Sequence, residues 1–213
     1  EIDGFNPCPR KRIAIPVCSP IDFPEKKVIL DPYLLGLLLG DGSLTADSVS
    51  FSTVDKELIH IFNSYRVRKI KGDNCDYRIN GVASVLKKMN LMGKKSEHKF
   101  VPEEYLFNSI SNRVALLRGL MDTDGSIYGK RIMEFSTTSE ALKDAVVFLV
   151  QSLGGKAKVK GRHTYFTYHG KKKKGLFSFR VFVKLEKINP FKLKRKAEKF
   201  YRIKHREERV LRS

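Results

Sequence analysis

The sequence predicts an α+β fold in which two pseudo-symmetric copies of one unit each run helix, two strands, helix, two strands, helix. The first observation behind this is a phrase written twice. Leu34-Leu35-Gly36-Leu37-Leu38-Leu39-Gly40-Asp41-Gly42-Ser43 returns as Leu117-Arg118-Gly119-Leu120-Met121-Asp122-Thr123-Asp124-Gly125-Ser126. The second is that the match continues downstream: Phe51-Ser52-Thr53 and a helix-like stretch from Asp55 correspond to Phe135-Ser136-Thr137 and a similar stretch from Ser139. The third is an echo near the end of each half, Lys95-Ser96-Glu97-His98-Lys99-Phe100 against Lys196-Ala197-Glu198-Lys199-Phe200. Self-similarity of this kind sets the architecture before any single element is read. It divides the chain into a lead-in (1–30), a first repeat (31–106) and a second repeat (107–213) with a strongly basic C-terminal region.

The elements follow from local pattern. In the first repeat a short apolar helix covers Pro32–Leu39, with strands near Leu44 and over Val49–Ser52, a helix over Lys56–Ser64, strands Tyr65–Lys71 and Asp76–Ile79, and a helix Val82–Met89. The second repeat has a helix Asn112–Met121, strands near Ile127 and over Arg131–Phe135, and a helix Ser139–Leu153. Its later strands are Lys156–Lys160, His163–Tyr168 and Phe177–Val183, followed by helical stretches. Gly72-Asp73-Asn74 and the stretch 170–175 mark turns. Gly36 and Gly40 stand four apart, as do Gly119 and Thr123. Glycine inside a helix costs about 0.5–1 kcal/mol, so close packing of the two helices is its expected reason. Gly42 and Gly125 are expected to stop the helices in the left-handed conformation.

At 213 residues with 41% hydrophobic content, the chain can bury a sizeable core. No apolar run approaches the roughly 18 residues that span a bilayer, and the basic Arg10-Lys11-Arg12 near the start does not read as a signal peptide. Cys8, Cys18 and Cys75 are scattered, which supports neither a zinc site nor a disulfide framework and points to a reduced, intracellular setting. The formal net charge is +19, and its distribution is uneven. Residues 1–154 hold 21 Lys and Arg against 19 acids, whereas residues 155–213 hold 21 against 4. Such a surplus calls for a polyanionic partner, nucleic acid before others.

Several strands present an alternating polar face suited to a groove. Lys156, Lys158, Lys160 and Arg162 lie on one side of their strand; Ser178, Arg180 and Lys184 oppose Phe177, Phe179, Val181 and Val183. In the first repeat Asp76, Arg78 and Asn80 oppose Tyr77 and Ile79, while Arg66 and Arg68 share another face. Paired β-strands fit the major groove, and such side chains read base edges there. Any one strand would expose polar residues simply by facing water; four together in so basic a chain point to DNA. Lys171-Lys172-Lys173-Lys174 reads as a hairpin tip contacting phosphate, and Tyr165, Phe166 and Phe182 read as core.

If the two phrase helices lie side by side and parallel, Asp41 and Asp124 emerge together. Two adjacent carboxylates repel unless protonated or bridged by cations. A hard, oxygen-liganded ion such as Mg²⁺ relieves this, and metal at such a place suits hydrolysis of phosphodiesters.

The paired phrases resemble the double signature of LAGLIDADG (dodecapeptide) homing endonucleases in their single-chain, two-repeat form, from about Asp31 to Phe200. Ile15-Pro16, Phe23-Pro24-Glu25-Lys26-Lys27 and Asp31-Pro32-Tyr33 also resemble the lead-in to endonuclease domains lodged within inteins. The resemblance implies two αββαββα units forming a DNA-binding β-saddle, with the two LAGLIDADG helices at their interface. It implies a monomer that cuts both strands of a long, nearly asymmetric duplex across the minor groove, leaves staggered ends, and uses Mg²⁺ with Mn²⁺ able to substitute. The catalytic acids are then Asp41 and Asp124, with Gly40 and Thr123 beside them in the metal site. Lys99, three residues before Pro102, matches the family's basic residue; for the second repeat the echo offers Lys199, with Lys196 and Lys194 close by. The earlier acid of the signature is Asp122 in the second copy and Leu39 in the first. No splice junction is visible, which implies the endonuclease portion alone or a free-standing relative. Non-cleaving relatives, maturases or regulators, share the fold; retention of both Asp41 and Asp124 speaks against that alternative.

Overall fold

Asp31 and Pro32 begin the first helix for identifiable reasons. The Asp31 carboxylate accepts the N–H of Leu34 at 2.9 Å, and Pro32 sits where a helix needs no donor. The computed structural model describes residues 18–45, 47–128 and 132–201. Cys8, Arg10–Arg12, Ile15-Pro16, Arg131 and the basic residues after 201 lie outside them. In chain order the first repeat comprises α1 (Pro32–Asp41), β1 (Gly42–Ser43), β2 (Val49–Ser52), α2 (Lys56–Ile59), β3 (Arg66–Lys69), β4 (Asp76–Asn80) and α3 (Ala83–Lys88). A short α4 (Glu103–Leu106) leads into α5 (Ile110–Thr123), β5 (Gly125–Tyr128), β6 (Ile132–Thr137), α6 (Glu140–Ser152), β7 (Lys156–Tyr168) and β8 (Lys171–Lys184). A last helix, α7, begins at 194 and runs through 201.

Each repeat forms one antiparallel four-stranded sheet, ordered β1-β2-β4-β3 and β5-β6-β8-β7. The same strand order in both is the expected α+β two-repeat architecture. In each sheet the first strand leaves the C-terminal end of a phrase helix directly, so the sheets spread outward from α1 and α5. Helix α1 is apolar all round because it is buried between the repeats: Pro32 through Leu39 are all buried. Leu35, Leu37 and Leu38 join Leu116, Leu117 and Leu120 in one core that spans both halves.

The helix contact depends on glycine. A Cβ on Gly36 would lie 2.5 Å from the Leu116 carbonyl oxygen and 2.8 Å from the Gly119 Cα; one on Gly119 would lie 2.8 Å from the Gly36 Cα. One on Gly40 would strike the Thr123 side chain. The order 36 with 116–119 and 40 with 123 shows that the helices run parallel. Gly42 departs from expectation: its φ of −80° and ψ of 134° are extended, not left-handed. Gly125 also has no positive φ. Both are glycine because the chain folds back over the helix end, where a Cβ would lie 2.9 Å from Leu38 Cα or 2.7 Å from Met121 Cα.

Other boundaries shift for physical reasons. The expected helix over 56–64 is α2 followed by a 3₁₀ turn, His60–Phe62. The three strands expected after Lys156 are two long ones that turn at His169 and Gly170, both at positive φ. Gly161 does not interrupt β7; it makes room for the Phe177 ring, which a Cβ would strike. Lys171–Lys174 are the first residues of β8, at the end of the hairpin directly after its turn. Beyond Gly161 and Phe179 the β7–β8 hairpin has no β6 beside it, and Tyr165 (56% exposed) and Phe166 (52%) are surface residues, not core. Phe182 is half-buried, with the Lys160 ammonium 5.6 Å from its ring.

The described lead-in packs on the second repeat before entering α1. Phe23 meets Phe107 and Phe148, and the buried Arg113 donates to carbonyls of Ile21, Asn108 and Ser152 while lying 4.8 Å from the Phe23 ring.

Candidate active site

Asp41 ends α1 and Asp124 caps α5, so the parallel helices deliver both carboxylates at one end. Burial raises the Asp41 carboxyl above its ordinary value, against the opposing charges of Lys196 and Lys99. Asp124 is pushed up to about 6, chiefly by burial and then by the charge of Asp41. The two acids are thus in electrostatic reach of each other and incompletely compensated. Beside Asp41 an open cleft is lined by Ser43, Ser52, Lys94, Glu97 and Lys99.

Each carboxylate has a buried lysine next to it, and the two lysines make the same set of bonds. Lys99 Nζ donates to the carbonyls of Leu39 (2.9 Å), Gly40 (3.0 Å) and Gly42 (2.7 Å) and lies 3.4 Å from that of Leu38. Lys196 Nζ does so with Met121 (2.9 Å), Asp122 (2.7 Å), Gly125 (2.6 Å) and Thr123 (3.3 Å). Carbonyls at a helix C-terminus lack intrahelical partners and carry partial negative charge, which a cation satisfies. Burial lowers both lysines to about 8, resisted by Asp124 and Asp41 for Lys99 and by Asp122 and Asp41 for Lys196.

This corrects the second-repeat lysine. Lys196 is the counterpart of Lys99, whereas Lys199 is exposed. The echo misaligned them because Lys99 follows a 3₁₀ turn (Ser96–His98) in extended backbone, while Lys196 and Lys199 lie on the helix α7, nearly a turn apart. Lys194 sits at the start of α7, exposed. A second correction concerns Gly40 and Thr123. Their carbonyls already face the lysine ammonium groups, and the Thr123 hydroxyl is turned back to the carbonyls of Gly119 and Leu120. A cation at these carbonyls would sit beside the lysine ammonium group, whereas the carboxylates of Asp41 and Asp124 carry no such bond to a lysine among the described residues.

The unmatched acid also has its explanation. Asp122 is buried and accepts the Tyr33 hydroxyl (2.9 Å) and the N–H groups of Lys192 (3.0 Å) and Leu193 (2.9 Å), just ahead of α7. Burial, then the charge of Asp122, raises the Tyr33 phenol. Leu39, its counterpart, is 1% exposed in the core. Asp122 ties α5 to α1 and α7; it is not part of the carboxylate pair.

Sheet register places the remaining residues. Arg66 pairs with Asn80 and Arg68 with Arg78, so all four share one face, with Ser50 beside Arg78; Arg66 and Arg68 are not on a different face. Asn80 also donates to the Arg66 carbonyl at 3.3 Å. In the second sheet Lys156, Lys158, Lys160 and Arg162 stand opposite Lys184, Phe182, Arg180 and Ser178 on one face. Two of these are not free. Ser178 is 5% exposed and donates to the Thr137 carbonyl at 3.4 Å, and Arg180 pairs with Glu134 at 3.3 Å. Lys184 is exposed, 3.5 Å from Glu186.

With two repeats of one topology meeting at paired acid-tipped helices, the family comparison is decisive for the second half. Residues 111–200 match the family model described as LAGLIDADG-like domain. The second repeat is a LAGLIDADG-like domain. The first repeat has the same strand order, and its own signature helix packs against that of the LAGLIDADG-like half. Among curated proteins, the chain is 30% identical over 158 residues to a replicative DNA helicase DnaB of Mycobacterium intracellulare, covering 72% of this chain and 25% of that one. It is 37% identical over 79 residues to a DNA polymerase of Thermococcus hydrothermalis, covering 37% of this chain and 5% of that one. The chain therefore spans a quarter or less of the length of these relatives. Similar solved structures include mesophilic variants of the homing endonuclease I-DmoI (TM-score 0.44, 16% identity, 81% of this chain and 93% of that one). Another is I-DmoI in complex with DNA and Mn (TM-score 0.43, 14% identity, 72% and 88%). Among the described residues no helix is long and apolar enough to cross a membrane.

Proposed function

We propose that this chain is a site-specific, metal-dependent double-strand DNA endonuclease that works as a monomer inside the cell, one repeat per half-site, with the repeats at 31–106 and 107–213 behind a lead-in. The observation that carries the reading is the pair Asp41 and Asp124, brought together by parallel helices and raised together by burial. A purely structural helix pair has no reason to concentrate two incompletely compensated acids at its open end.

The donor set fits a hard divalent cation. Two carboxylates are available, and no group of three or more His, Cys, Asp or Glu among the described residues could hold a metal unaided. Asp41 and Asp124 would hold Mg²⁺ or Mn²⁺, with water and phosphate oxygens completing the shell. The metal, when bound, lowers the pKa of a coordinated water and offsets charge on the phosphate. The chain's own groups do the rest. Lys99 and Lys196 hold the helix ends so that each carboxylate is aimed, and they add positive charge where phosphate arrives. The exposed face of Arg66, Arg68, Arg78 and Asn80 would lie along one half-site, and that of Lys156, Lys158, Lys160, Arg162 and Lys184 along the other, in the major groove. The bared part of the β7–β8 hairpin adds Lys171–Lys174 over seven residues of β7, about 23 Å of strand, so the second half-site would be the longer.

The relatives support an inserted setting. A helicase and a polymerase share no activity that would need a common domain, yet both contain a stretch similar to this chain, making up a small part of each. An endonuclease lodged within a host protein, as in an intein, accounts for that.

Selection from a randomised duplex library with Mg²⁺ tests the reading. The wild type is expected to yield discrete double-strand cuts with staggered ends, and Asp41→Asn and Asp124→Asn to bind the selected duplex without cutting it. Cutting that survives both substitutions removes the assigned site; retention of DNA without any cut by the wild type favours a non-cleaving binder.

A further inference from the structure

Asp55 and Ser139 hold corresponding places in the two repeats. Each follows a threonine by two residues, Thr53 or Thr137, whose hydroxyl accepts its backbone N–H at 3.1 Å, and each stands at the start of the next helix. These short turns fix the direction of the two side chains, and both point into the other repeat. Ser139 Oγ donates to the carbonyl of Lys99 at 2.6 Å. Asp55 accepts from Arg195 through both oxygens, at 2.9 Å from Nε and 2.8 Å from Nη2. Two residues on, Glu57 accepts the N–H of Lys194 at 3.1 Å. The partners Lys99 and Arg195 are, or adjoin, the two lysines that cap the signature helices. Each lysine therefore caps the helix of its own repeat while the opposite repeat holds its backbone (Lys99) or the residues just before it (Lys194 and Arg195, ahead of Lys196).

We propose that Asp55 and Ser139 are paired positioning residues, through which each repeat holds in place the lysine that caps the other's signature helix beside the two carboxylates. The activity arm of this proposal rests on the endonuclease reading; its labelling arm rests on the geometry alone. The two ties differ in kind. Asp55–Arg195 is an ion pair with the Arg195 side chain 58% exposed, so salt screens it. Ser139–Lys99 is buried and neutral, which salt leaves alone. The Lys196 cap on α5 is thus the one that ionic strength loosens.

Lysine acylation of the full chain without DNA, mapped by mass spectrometry at low and high salt, tests the coupling. Asp55→Ala is expected to speed labelling of Lys196 about two- to fivefold, the range of an exposed ion pair, and to leave Lys99 unchanged. Arg195→Glu should do the same, and the exchange Asp55→Lys with Arg195→Glu should restore protection. Ser139→Ala is expected to speed labelling of Lys99 alone, about tenfold for a lost buried bond, and Ser139→Thr to restore it. On a duplex labelled on both strands, Asp55→Ala should accumulate nicks in one strand and Ser139→Ala in the other. Equal labelling of both lysines in either variant, no change at either, or nicks in the same strand would overturn the proposal. If the wild type cuts no DNA, the endonuclease reading falls and the labelling pattern decides this one by itself.

Discussion

The two repeats are alike at their axis and unlike at their edges. Around the carboxylates the match reaches single bonds: Lys99 and Lys196 cap four corresponding carbonyls, and Thr53 and Thr137 hold corresponding N–H groups. Away from the axis the first repeat ends in a hairpin of four and five residues, the second in one of thirteen and fourteen. The short hairpin and its loop (66–80) carry five basic and two acidic residues, and the long one (156–184) carries ten basic and none acidic. Helix contact at Gly36 and Gly119 tolerates no change on one side alone, because backbone meets backbone. A hairpin in solvent meets no such constraint. Steric coupling ties the two sides of the centre to each other, and nothing comparable ties the two hairpins.

The largest expected effect tests that divergence. Replacing Lys171–Lys174 by glutamine should lower the slope of log K against log salt on mixed-sequence duplex by about 3.6, up to about 10³-fold in affinity at physiological salt. The pair Arg66→Gln and Arg68→Gln should lower it by about 1.8 at most. Equal effects would erase the proposed inequality of the half-sites. Next comes the axis. Gly36→Ala forces a Cβ against backbone that cannot step aside, and should destabilise the protein by about 3 kcal/mol in urea unfolding. Lys196→Met leaves helix-end carbonyls without a donor and should cost about 2–3 kcal/mol, as should Lys99→Met.

Protonation offers a further test at the centre. The folded Asp124 carboxyl titrates near 6, above its ordinary value of 3.8, so the folded state binds the extra proton between these values. Stability attributable to Asp124 is therefore present at low pH and lost as pH rises through about 6. Asp124→Asn should be less affected over that range, gaining about 2 kcal/mol on the wild type between pH 4 and 7 without metal. For Lys99 and Lys196, lowered to about 8, the sign reverses: the unfolded state binds more protons above that value, and stability rises toward pH 10. The smallest effect belongs to Lys199→Met, expected within about 0.5 kcal/mol as an exposed substitution. A loss equal to that of Lys196→Met would restore the sequence echo over the structural pairing.

The doubled phrase with its glycines made the two-repeat fold and the meeting of Asp41 with Asp124 legible in the sequence, because those features depend on spacing within one helix. The polar faces were legible as alternation, but their membership was not. That Arg66 and Arg68 share a face with Arg78 and Asn80 depends on strand register, and that Ser178 and Arg180 are occupied depends on Thr137 and Glu134, which are neighbours only across strands. The second lysine was hidden for a related reason: extended backbone in one repeat and helix in the other bring different sequence positions to the same point.

What the sequence determined by itself was periodic and local: helix faces, glycine spacing, acid-tipped helix ends, and a charge surplus after residue 154. Tertiary structure alone decided which lysine caps the second signature helix, why Asp122 has no counterpart at Leu39, and that each repeat tethers the other's lysine or its neighbour. Those contacts join residues some 40 to 140 positions apart, and nothing in a linear pattern encodes which distant atoms a packed core brings within 3 Å.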